Sequence, residues 1–184
     1  MPAALSVRPP LVGIQTRFLK APTLHGSGAF SFRRYNWHVE KHIDDLATLG
    51  REAAELKERL ASGAGAATLV TLTGELGAGK TAFTQALARA YGIAEPVTSP
   101  TFVLEKIYDL PKNAAAFKRL VHIDAYRLDS QAQLGALGFA ELIQDPSNLI
   151  LLEWPERVSE ALPKADVAIT LVANDDGSRT MTYA

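Results

Sequence analysis

The period of the hydrophobic positions changes in the middle of the chain, and this change predicts a strand followed directly by a helix. Residues 68–73 form an apolar, β-branched run that is typical of a buried strand. Between positions 83 and 91, apolar side chains recur at spacings of three and four, which predicts a helix that Gly92 ends. The segment between them, residues 74–81, has the sequence G-E-L-G-A-G-K-T. It matches the phosphate-binding loop pattern G-x-x-x-x-G-K-[ST] at every fixed position.

Each residue type in this loop has a part in holding a phosphate chain. Glycines let backbone N–H groups surround an anion with no Cβ atom in the way. A helix that starts near Gly79 points the positive end of its dipole at the same anion. Lys80 is placed to reach the β- and γ-phosphates, and the Thr81 hydroxyl is placed to bind Mg²⁺. The sequence has no N-K-x-D-type motif for reading guanine, so ATP is the expected nucleotide.

The other hydrophobic patterns predict six more strands and three more helical segments. Asp44 or Asp45 is placed to cap the first helix. Turns at 110–113 and 174–178 each separate two strands, which predicts two antiparallel hairpins. The predicted strands are 35–42, 101–109, 119–126, 147–152, 166–173 and 179–183, and the predicted helices are 46–60, 131–142 (with glycines at 135 and 138) and 156–162.

This order of elements predicts an α/β protein with a P-loop NTPase fold. The sheet is expected to be mixed, with a parallel core and antiparallel hairpins, and to be flanked by helices. The chain has 184 residues, of which 47% are hydrophobic and 21% charged, as in an ordinary globular domain. No apolar run approaches the length of a membrane span, and the expected location is the cytoplasm.

Residues 1–34 differ from the rest of the chain in their charge. They carry five Lys or Arg residues and no acidic residue, and no hydrophobic period persists in them. This predicts a disordered basic extension or a wrongly assigned start, with a transit peptide as the alternative, and a P-loop ATPase domain over residues 35–184. The whole chain has a net charge of −1, which gives no global basic field for nucleic acid. It has no cysteine, which excludes disulfides and thiolate metal sites.

Two of the predicted strands end in an acidic residue, and these are candidate Mg²⁺ ligands. Asp124 ends the strand 119–126, where a phosphate-loop protein carries its second metal ligand, although a surface aspartate gives the same pattern. Glu153 follows the apolar run 147–152, at an end of a core strand where nucleotide sites collect. Glu153 is placed to position the attacking water or to reach Mg²⁺ through one. His122 lies on the same strand face as Asp124 and either orients it or is structural.

The segment at 98–102, T-S-P-T-F, keeps two interpretations. Pro100 favours an extended conformation for Ser99. The hydroxyl of Ser99 or Thr101 is then a ligand of Mg²⁺ or of water near the γ-phosphate, as in the switch loops of GTPases. The alternative is an ordinary turn into the next strand.

Two large side chains near the predicted site, Trp154 and Arg127, also keep two interpretations each. Trp154 contacts the nucleotide or a partner, or it packs at the corner between a strand and a helix. Arg127 stabilises developing charge, or it is a surface arginine paired with Asp129 or Glu141.

Four short motifs occur in a fixed order along residues 36–184. They are G-E-L-G-A-G-K-T at 74–81, S-P-T-F at 99–102, H-I-D-A-Y-R at 122–127 and L-E-W-P-E-R at 152–157. In order and approximate spacing they resemble the TsaE (YjeE) family, small bacterial ATPases required to form threonylcarbamoyladenosine in tRNA. The phosphate loop alone is not diagnostic, whereas H-x-D-x-Y-R together with E-W-P-E-R is specific.

The resemblance implies a role for each matched position. Lys80, Glu153 and Thr101 are the implied catalytic residues. The implied metal ligands are Thr81, Asp124 and Glu153, with Asp124 as the Walker-B-like carboxylate. The predicted nucleotide-binding residues are Gly74, Glu75, Leu76, Gly77, Ala78, Gly79, Lys80, Thr81, Ala82 and Trp154.

The resemblance also implies partners. Members of the family act with TsaD, which transfers the threonylcarbamoyl group to adenosine 37 of tRNA, and with the scaffold subunit TsaB. This implies a Mg²⁺-dependent ATPase that is slow alone, resets that complex between turnovers and meets tRNA only through it. Residues 40–184 carry 14 basic and 20 acidic residues, a poor surface for gripping tRNA directly. The alternatives are a small-molecule kinase and a nucleotide-gated binding module that does not hydrolyse ATP.

Overall fold

A computed structural model describes residues 39–60, 65–112 and 116–184 of the chain. The predicted basic extension and the predicted start of the domain at residue 35 lie outside the described residues, so this division stays a prediction. Among the helices in the described ranges, none is both long enough and apolar enough to cross a membrane.

Seven strands form one mixed sheet in the order β1-β7-β6-β2-β5-β4-β3. The central pairs (β6 with β2, β2 with β5, β5 with β4) are parallel, and the outer pairs are antiparallel. This confirms the predicted parallel core and both predicted hairpins. The strands are β1 (Val39–Ile43), β2 (Thr68–Thr73), β3 (Glu105–Asp109), β4 (Arg119–Asp124), β5 (Asn148–Glu153), β6 (Val167–Ala173) and β7 (Arg179–Tyr183).

Helices cover both faces of the sheet, and each face has its own hydrophobic core. One core packs Leu56 of the first helix and Phe83 of the second against the sheet, and the other packs Leu134 and Phe139 of the later, shorter helices. The Asp45 carboxylate caps the first helix by accepting from the Thr48 N–H at 2.7 Å, as one of the two predicted caps. The helices are α1 (Leu46–Arg59), α2 (Lys80–Ala90), α3 (Gln131–Ala136) and α4 (Phe139–Gln144).

The central strands bring the ends of three chain segments to one edge of the sheet. All six residues of β5 are buried, as expected for a strand covered on both faces. Because β2, β4 and β5 run parallel, the phosphate loop after β2 lies beside the last residues of β4 and β5. The register pairs Asp124 with Glu153, so the two predicted carboxylates are direct neighbours.

The predicted strand 101–109 is too long by four residues. The Pro100 carbonyl accepts from the N–H groups of Val103 and Leu104, at 2.9 and 2.5 Å, and this turn replaces ladder bonds. Leu104 has a φ of +67° and ends the turn, so β3 begins only at Glu105. The apolar and β-branched residues in this segment favoured a strand, but the turn beginning at Pro100 prevents it.

Three other elements differ from the prediction by more than one residue at an end. The strand predicted as 119–126 ends at Asp124, whose Oδ1 accepts from the Tyr126 N–H at 3.0 Å. The helical segment 131–142 is two helices separated next to Gly138, which has a φ of +73°. The predicted helix 156–162 is a pair of 3₁₀ turns, Pro155–Arg157 and Ser159–Ala161.

Candidate nucleotide-binding site

The phosphate loop requires glycine where it leaves β2 and where it enters α2. Gly74 has a φ of +148°, and a Cβ atom there would lie 2.3 Å from the backbone oxygen of Leu171 on β6. Gly79 caps α2 with a φ of +107°, a conformation that residues with a Cβ rarely adopt. The loop therefore folds tightly against the sheet, and the N-terminus of α2 opens towards the space beside Asp124 and Glu153.

Lys80 is held inside the loop by backbone carbonyls. Its side chain is 4% exposed, and its ammonium donates to the oxygens of Gly74 and Glu75 at 2.5 and 2.9 Å. The ammonium also lies 3.8 Å from the centroid of the Trp154 ring, a cation–π contact. Burial lowers the pKa of Lys80, while the Glu153 carboxylate acts in the opposite direction. These contacts position the Lys80 ammonium at the loop.

Glu153 links the helix that follows the loop to the neighbouring strand. The Thr81 hydroxyl donates towards both carboxylate oxygens, at 3.0 Å to Oε1 and 3.2 Å to Oε2. Oε1 also lies 2.8 Å from Nε2 of His122. Glu153 and His122 are 2% and 0% exposed, so this carboxylate is fixed within the core.

Asp124 is held mainly by the loop that precedes β3. Its Oδ2 accepts a hydrogen bond from the Thr101 hydroxyl and lies 3.3 Å from the Ser99 hydroxyl. The two hydroxyls are 2.5 Å apart, and the Ser99 oxygen accepts from the Thr101 N–H at 3.2 Å. The hydroxyls of this segment thus contact Asp124, and their role as ligands of Mg²⁺ or water near the γ-phosphate stays a prediction.

Trp154 has a left-handed backbone conformation, with φ 61° and ψ 51°. Such a conformation is uncommon for a bulky residue, and here Pro155 follows, which disfavours the right-handed helical region. The Trp154 ring meets Tyr126 with centroids 5.0 Å apart and covers the ammonium of Lys80. The residue thus lies at a strand-to-helix corner with its ring facing the loop, and its contact with a nucleotide or a partner stays a prediction.

The predicted residues converge on a cleft of about 280 Å³. Gly74, Glu75 and Ala78 do not line it; the first two hold Lys80 through their carbonyls, and Ala78 is buried. Ser99, whose hydroxyl the sequence offered as an alternative to that of Thr101, also lines it, and so does Tyr126, for which no role was predicted. The lining residues that the sequence predicted as site residues are Leu76, Gly77, Gly79, Lys80, Thr81, Ala82, Thr101, Asp124, Glu153 and Trp154.

A second cleft, of about 340 Å³, adjoins the first along the phosphate loop. Gly77, Gly79 and Ala82 line both clefts. Apart from Ala78 of the phosphate loop, the remaining walls of the second come from three other segments of the chain: residues 43–49 at the start of α1, Leu171 on β6, and residues 177–179 at the turn into β7. The remaining lining residues are Ile43, Asp44, Asp45, Leu46, Leu49, Ala78, Leu171, Gly177 and Arg179. No local sequence pattern joins these segments, so the sequence does not predict this cleft.

The contacts of Arg127 and His122, for which the sequence left two roles each, are defined in the structure. The Arg127 guanidinium lies over the ring of Phe102, 4.5 Å from its centroid, rather than against the carboxylates considered for it. His122 bonds Glu153 and not Asp124, so the suggestion that it orients Asp124 was wrong. The strand alternation placed His122 and Asp124 on one face correctly, but the register with β5 decides which carboxylate the ring reaches.

Comparison with known proteins gives a consistent result. The family model described as threonylcarbamoyl adenosine biosynthesis protein TsaE matches residues 47–181. The tRNA threonylcarbamoyladenosine biosynthesis protein TsaE of Treponema pallidum is 35% identical over 146 residues, which cover 79% of this chain and 98% of that protein. The protein of the same name from Mycobacterium tuberculosis H37Rv is 31% identical, over 94% of this chain and 95% of its own.

The fold has a solved counterpart. The crystal structure of Bacillus subtilis YdiB superposes with a TM-score of 0.59 at 28% sequence identity. The match covers 79% of this chain and 84% of that one. The mixed sheet and the phosphate loop are therefore those of a P-loop nucleotide-binding fold, as predicted.

Proposed function

Because the chain belongs to the TsaE family of threonylcarbamoyl adenosine biosynthesis proteins, we propose that it is the Mg²⁺-dependent ATPase of that tRNA modification. One observation carries the proposal. The phosphate-loop residues Lys80 and Thr81 share a cleft with two carboxylates, Asp124 and Glu153, which are neighbours in the register of β4 and β5. Phosphoryl transfer requires groups that donate hydrogen bonds to the phosphates, groups that bind the metal, and a residue that positions the nucleophile. This cleft contains side chains suited to each of these tasks.

The phosphate chain is proposed to enter at the N-terminus of α2. Backbone N–H groups of the loop and the dipole of α2 favour an anion there. Lys80 would exchange the carbonyls of Gly74 and Glu75, its present partners, for phosphate oxygens. The exchange replaces hydrogen bonds to neutral acceptors with stronger ones to a charged acceptor.

The metal is proposed to bind between the hydroxyl of Thr81 and the carboxylates of Asp124 and Glu153. Hydroxyl and carboxylate oxygens are the ligands that Mg²⁺ prefers, so the side chains present fit this ion. A bound Mg²⁺ would neutralise charge that develops on the phosphates. Glu153 would accept a hydrogen bond from the attacking water, and Thr101 would hold Asp124 in place through the hydrogen bond it already makes.

The base and ribose are proposed to occupy the second cleft. It shares Gly77, Gly79 and Ala82 with the first, so a nucleotide whose phosphates lie on the loop can extend into it. Its walls include apolar side chains such as Leu46 and Leu49, which suit an adenine ring.

The proposed partners are the TsaD and TsaB proteins, with tRNA met only through their complex. The related proteins are named for the modification as a whole, which requires steps beyond ATP hydrolysis. The acidic balance of residues 40–184 supports an indirect contact with tRNA, because a direct one relies on Lys and Arg. Since the proposed partners act on tRNA, the proposal includes a cytoplasmic location.

The test is phosphate release from Mg·ATP by the purified protein, alone and with TsaD, TsaB and tRNA. We expect slow release alone and faster release with the partners. Lys80→Ala should lower the rate of phosphate release by about 100-fold or more, which is the typical effect of removing a group that stabilises developing charge in an enzyme. The matched control is Lys118→Ala, at an exposed lysine just before β4.

Other outcomes would replace the proposal. ATP consumption that depends on a small hydroxylated acceptor would indicate a kinase. Tight ATP binding with no phosphate release under any of these conditions would indicate a nucleotide-gated binding module.

A further inference from the structure

A buried histidine on β4 makes a hydrogen bond to Glu153, and the proposed mechanism gives this histidine no role. His122 is fully buried, and its Nε2 lies 2.8 Å from Oε1 of Glu153. We propose that His122 is a positioning residue, whose Nε2–H fixes the Glu153 carboxylate in the orientation that catalysis requires. This inference rests on the proposed function, because it assigns a task only if Glu153 acts in ATP hydrolysis.

The direction of this hydrogen bond follows from the chemistry of its two ends. An ionised carboxylate has only acceptor positions, so at 2.8 Å the ring nitrogen must supply the proton. Nδ1 of His122 has no hydrogen-bond partner among the described residues and is buried. With the proton on Nε2, Nδ1 presents a lone pair, whereas the opposite arrangement would leave a donor unpaired and set two acceptors against each other.

Packing alone does not explain a histidine at this position. Its neighbours along β4, Val121 and Ile123, are apolar and buried, as is Leu151, the residue that faces it in the register with β5. An apolar side chain of similar size would fill the same space without burying an unpaired ring nitrogen. The hydrogen bond to Glu153 is therefore the favourable interaction that a histidine makes here and an apolar residue would not.

The bond matters because the other side-chain partner of Glu153 belongs to the proposed metal site. In the structure, Thr81 donates to Glu153 through the hydroxyl whose oxygen the proposed mechanism assigns to the metal. That hydroxyl keeps its O–H when its oxygen binds a metal, but its position then follows the metal. The bond to His122 comes instead from a core strand and orients the carboxylate independently of the proposed metal. The ring restrains Oε1, the oxygen it contacts, and leaves Oε2 available to a ligand or to water.

The test compares two replacements of the ring. His122→Gln can place an amide N–H near the position of Nε2, whereas His122→Met fills the space without a donor. Because hydrogen bonds to charged groups are strong, we expect kcat for His122→Met to fall by about tenfold or more, with KM for ATP changed less than about threefold. His122→Gln should recover most of kcat. Ile123→Val, on the same strand but the opposite face, controls for a small change in packing.

A second measurement does not depend on activity. In protein with ¹⁵N-labelled histidine, a buried Nε2–H bonded to a carboxylate gives a slowly exchanging, strongly shifted imidazole N–H signal. His122→Gln assigns the signal, and Glu153→Gln must shift it. A signal that Glu153→Gln leaves unchanged would overturn the inference, whatever the activity of the His122 variants.

The activity outcomes separate this inference from the function on which it rests. Equal losses in His122→Gln and His122→Met, together with lower melting temperatures, would show a structural histidine and leave the ATPase proposal intact. A wild-type protein that releases no phosphate with or without partners would overturn the ATPase proposal and this inference together. A kcat that is recovered in His122→Gln but not in His122→Met, together with the shifted N–H signal, would support the ATPase proposal and this inference.

Discussion

The two carboxylates of the cleft are neighbours in the sheet, but different parts of the molecule hold them. Glu153 is bonded by His122 on β4 and by Thr81 on α2, both parts of regular elements. Apart from the N–H of Tyr126 just after β4, the groups that bond the Asp124 side chain are Ser99 and Thr101, which belong to an irregular segment between α2 and β3. Both carboxylates are almost fully buried, at 2% and 3% exposure, so burial does not distinguish them.

The difference lies in how easily the supporting groups can move. His122 is enclosed in the core, whereas the loop that carries Thr101 also carries Phe102 and Val103, which are 84% and 59% exposed. Exposed loops with few buried contacts open at low free-energy cost, and core strands do not. We therefore infer that the Glu153 half of the site is preset by the fold and that the Asp124 half can be adjusted from the surface.

The largest effect is expected at the preset half. Glu153→Gln keeps the shape of the side chain but removes its charge. It should lower phosphate release by about 100-fold or more while ATP still binds, since a group that acts at the transition state is lost. Phosphate-release kinetics and a nucleotide-binding titration check this, with Glu141→Gln as the control at an exposed glutamate. Unchanged release would remove Glu153 from the mechanism.

The next effect is expected at Asp124. Asp124→Asn removes one proposed metal ligand and leaves Thr81 and Glu153. The Mg²⁺ concentration for half-maximal phosphate release should rise by about tenfold, the size of effect seen when a metal site loses a supporting carboxylate. A titration of activity with Mg²⁺ measures this, and Asp129→Asn is the control. A curve that does not move would show that the aspartate is not a ligand.

A smaller effect is expected from the loop. Thr101→Val keeps the side-chain volume and removes the hydroxyl that Asp124 accepts from. Loss of one such bond at a partly solvated site, about 1–1.5 kcal/mol, should lower kcat by about fivefold to tenfold. Steady-state kinetics of the isolated protein check this, against Thr170→Val on the exposed side of β6. A loss as large as that of Glu153→Gln would contradict the division into preset and adjustable halves.

The smallest effect in the isolated protein is expected at Phe102. Its ring lies under Arg127 but is mostly exposed, and an exposed cation–π pair is worth about 0.5–1 kcal/mol. Phe102→Ala should change kcat by less than about threefold and speed amide hydrogen exchange around residues 99–104. Val172→Ala, at another exposed apolar residue, serves as the control. Unchanged exchange in that segment would show that Arg127 and Phe102 do not restrain the loop.

The sequence predicted the preset half of the site better than the adjustable half. The phosphate loop and the strand that ends at Glu153 follow from short-range patterns, because glycine spacing and continuous apolar runs are local features. The bond from His122 to Glu153 was not predicted, because it depends on which strands are neighbours in the sheet.

The segment 101–104 was missed for a different reason. Its residues have the composition of a strand, but hydrogen bonds to the Pro100 carbonyl and to the Ser99 hydroxyl form a turn instead. The second cleft escaped prediction because three distant segments build it. Local chemistry was thus readable from the sequence, and contacts between distant segments were not.

The strand order also has a consequence for the synthesis of the chain. The central strand β2 has β5 and β6 as its neighbours, and both are translated long after it. The hydrogen bond between Thr81 and Glu153 joins residues 72 positions apart. While the ribosome makes the intervening segment, β2 and the phosphate loop have no partners in the sheet, so the site cannot form. A truncated nascent chain that ends before β5 should therefore carry the complete phosphate-loop motif and still not retain ATP.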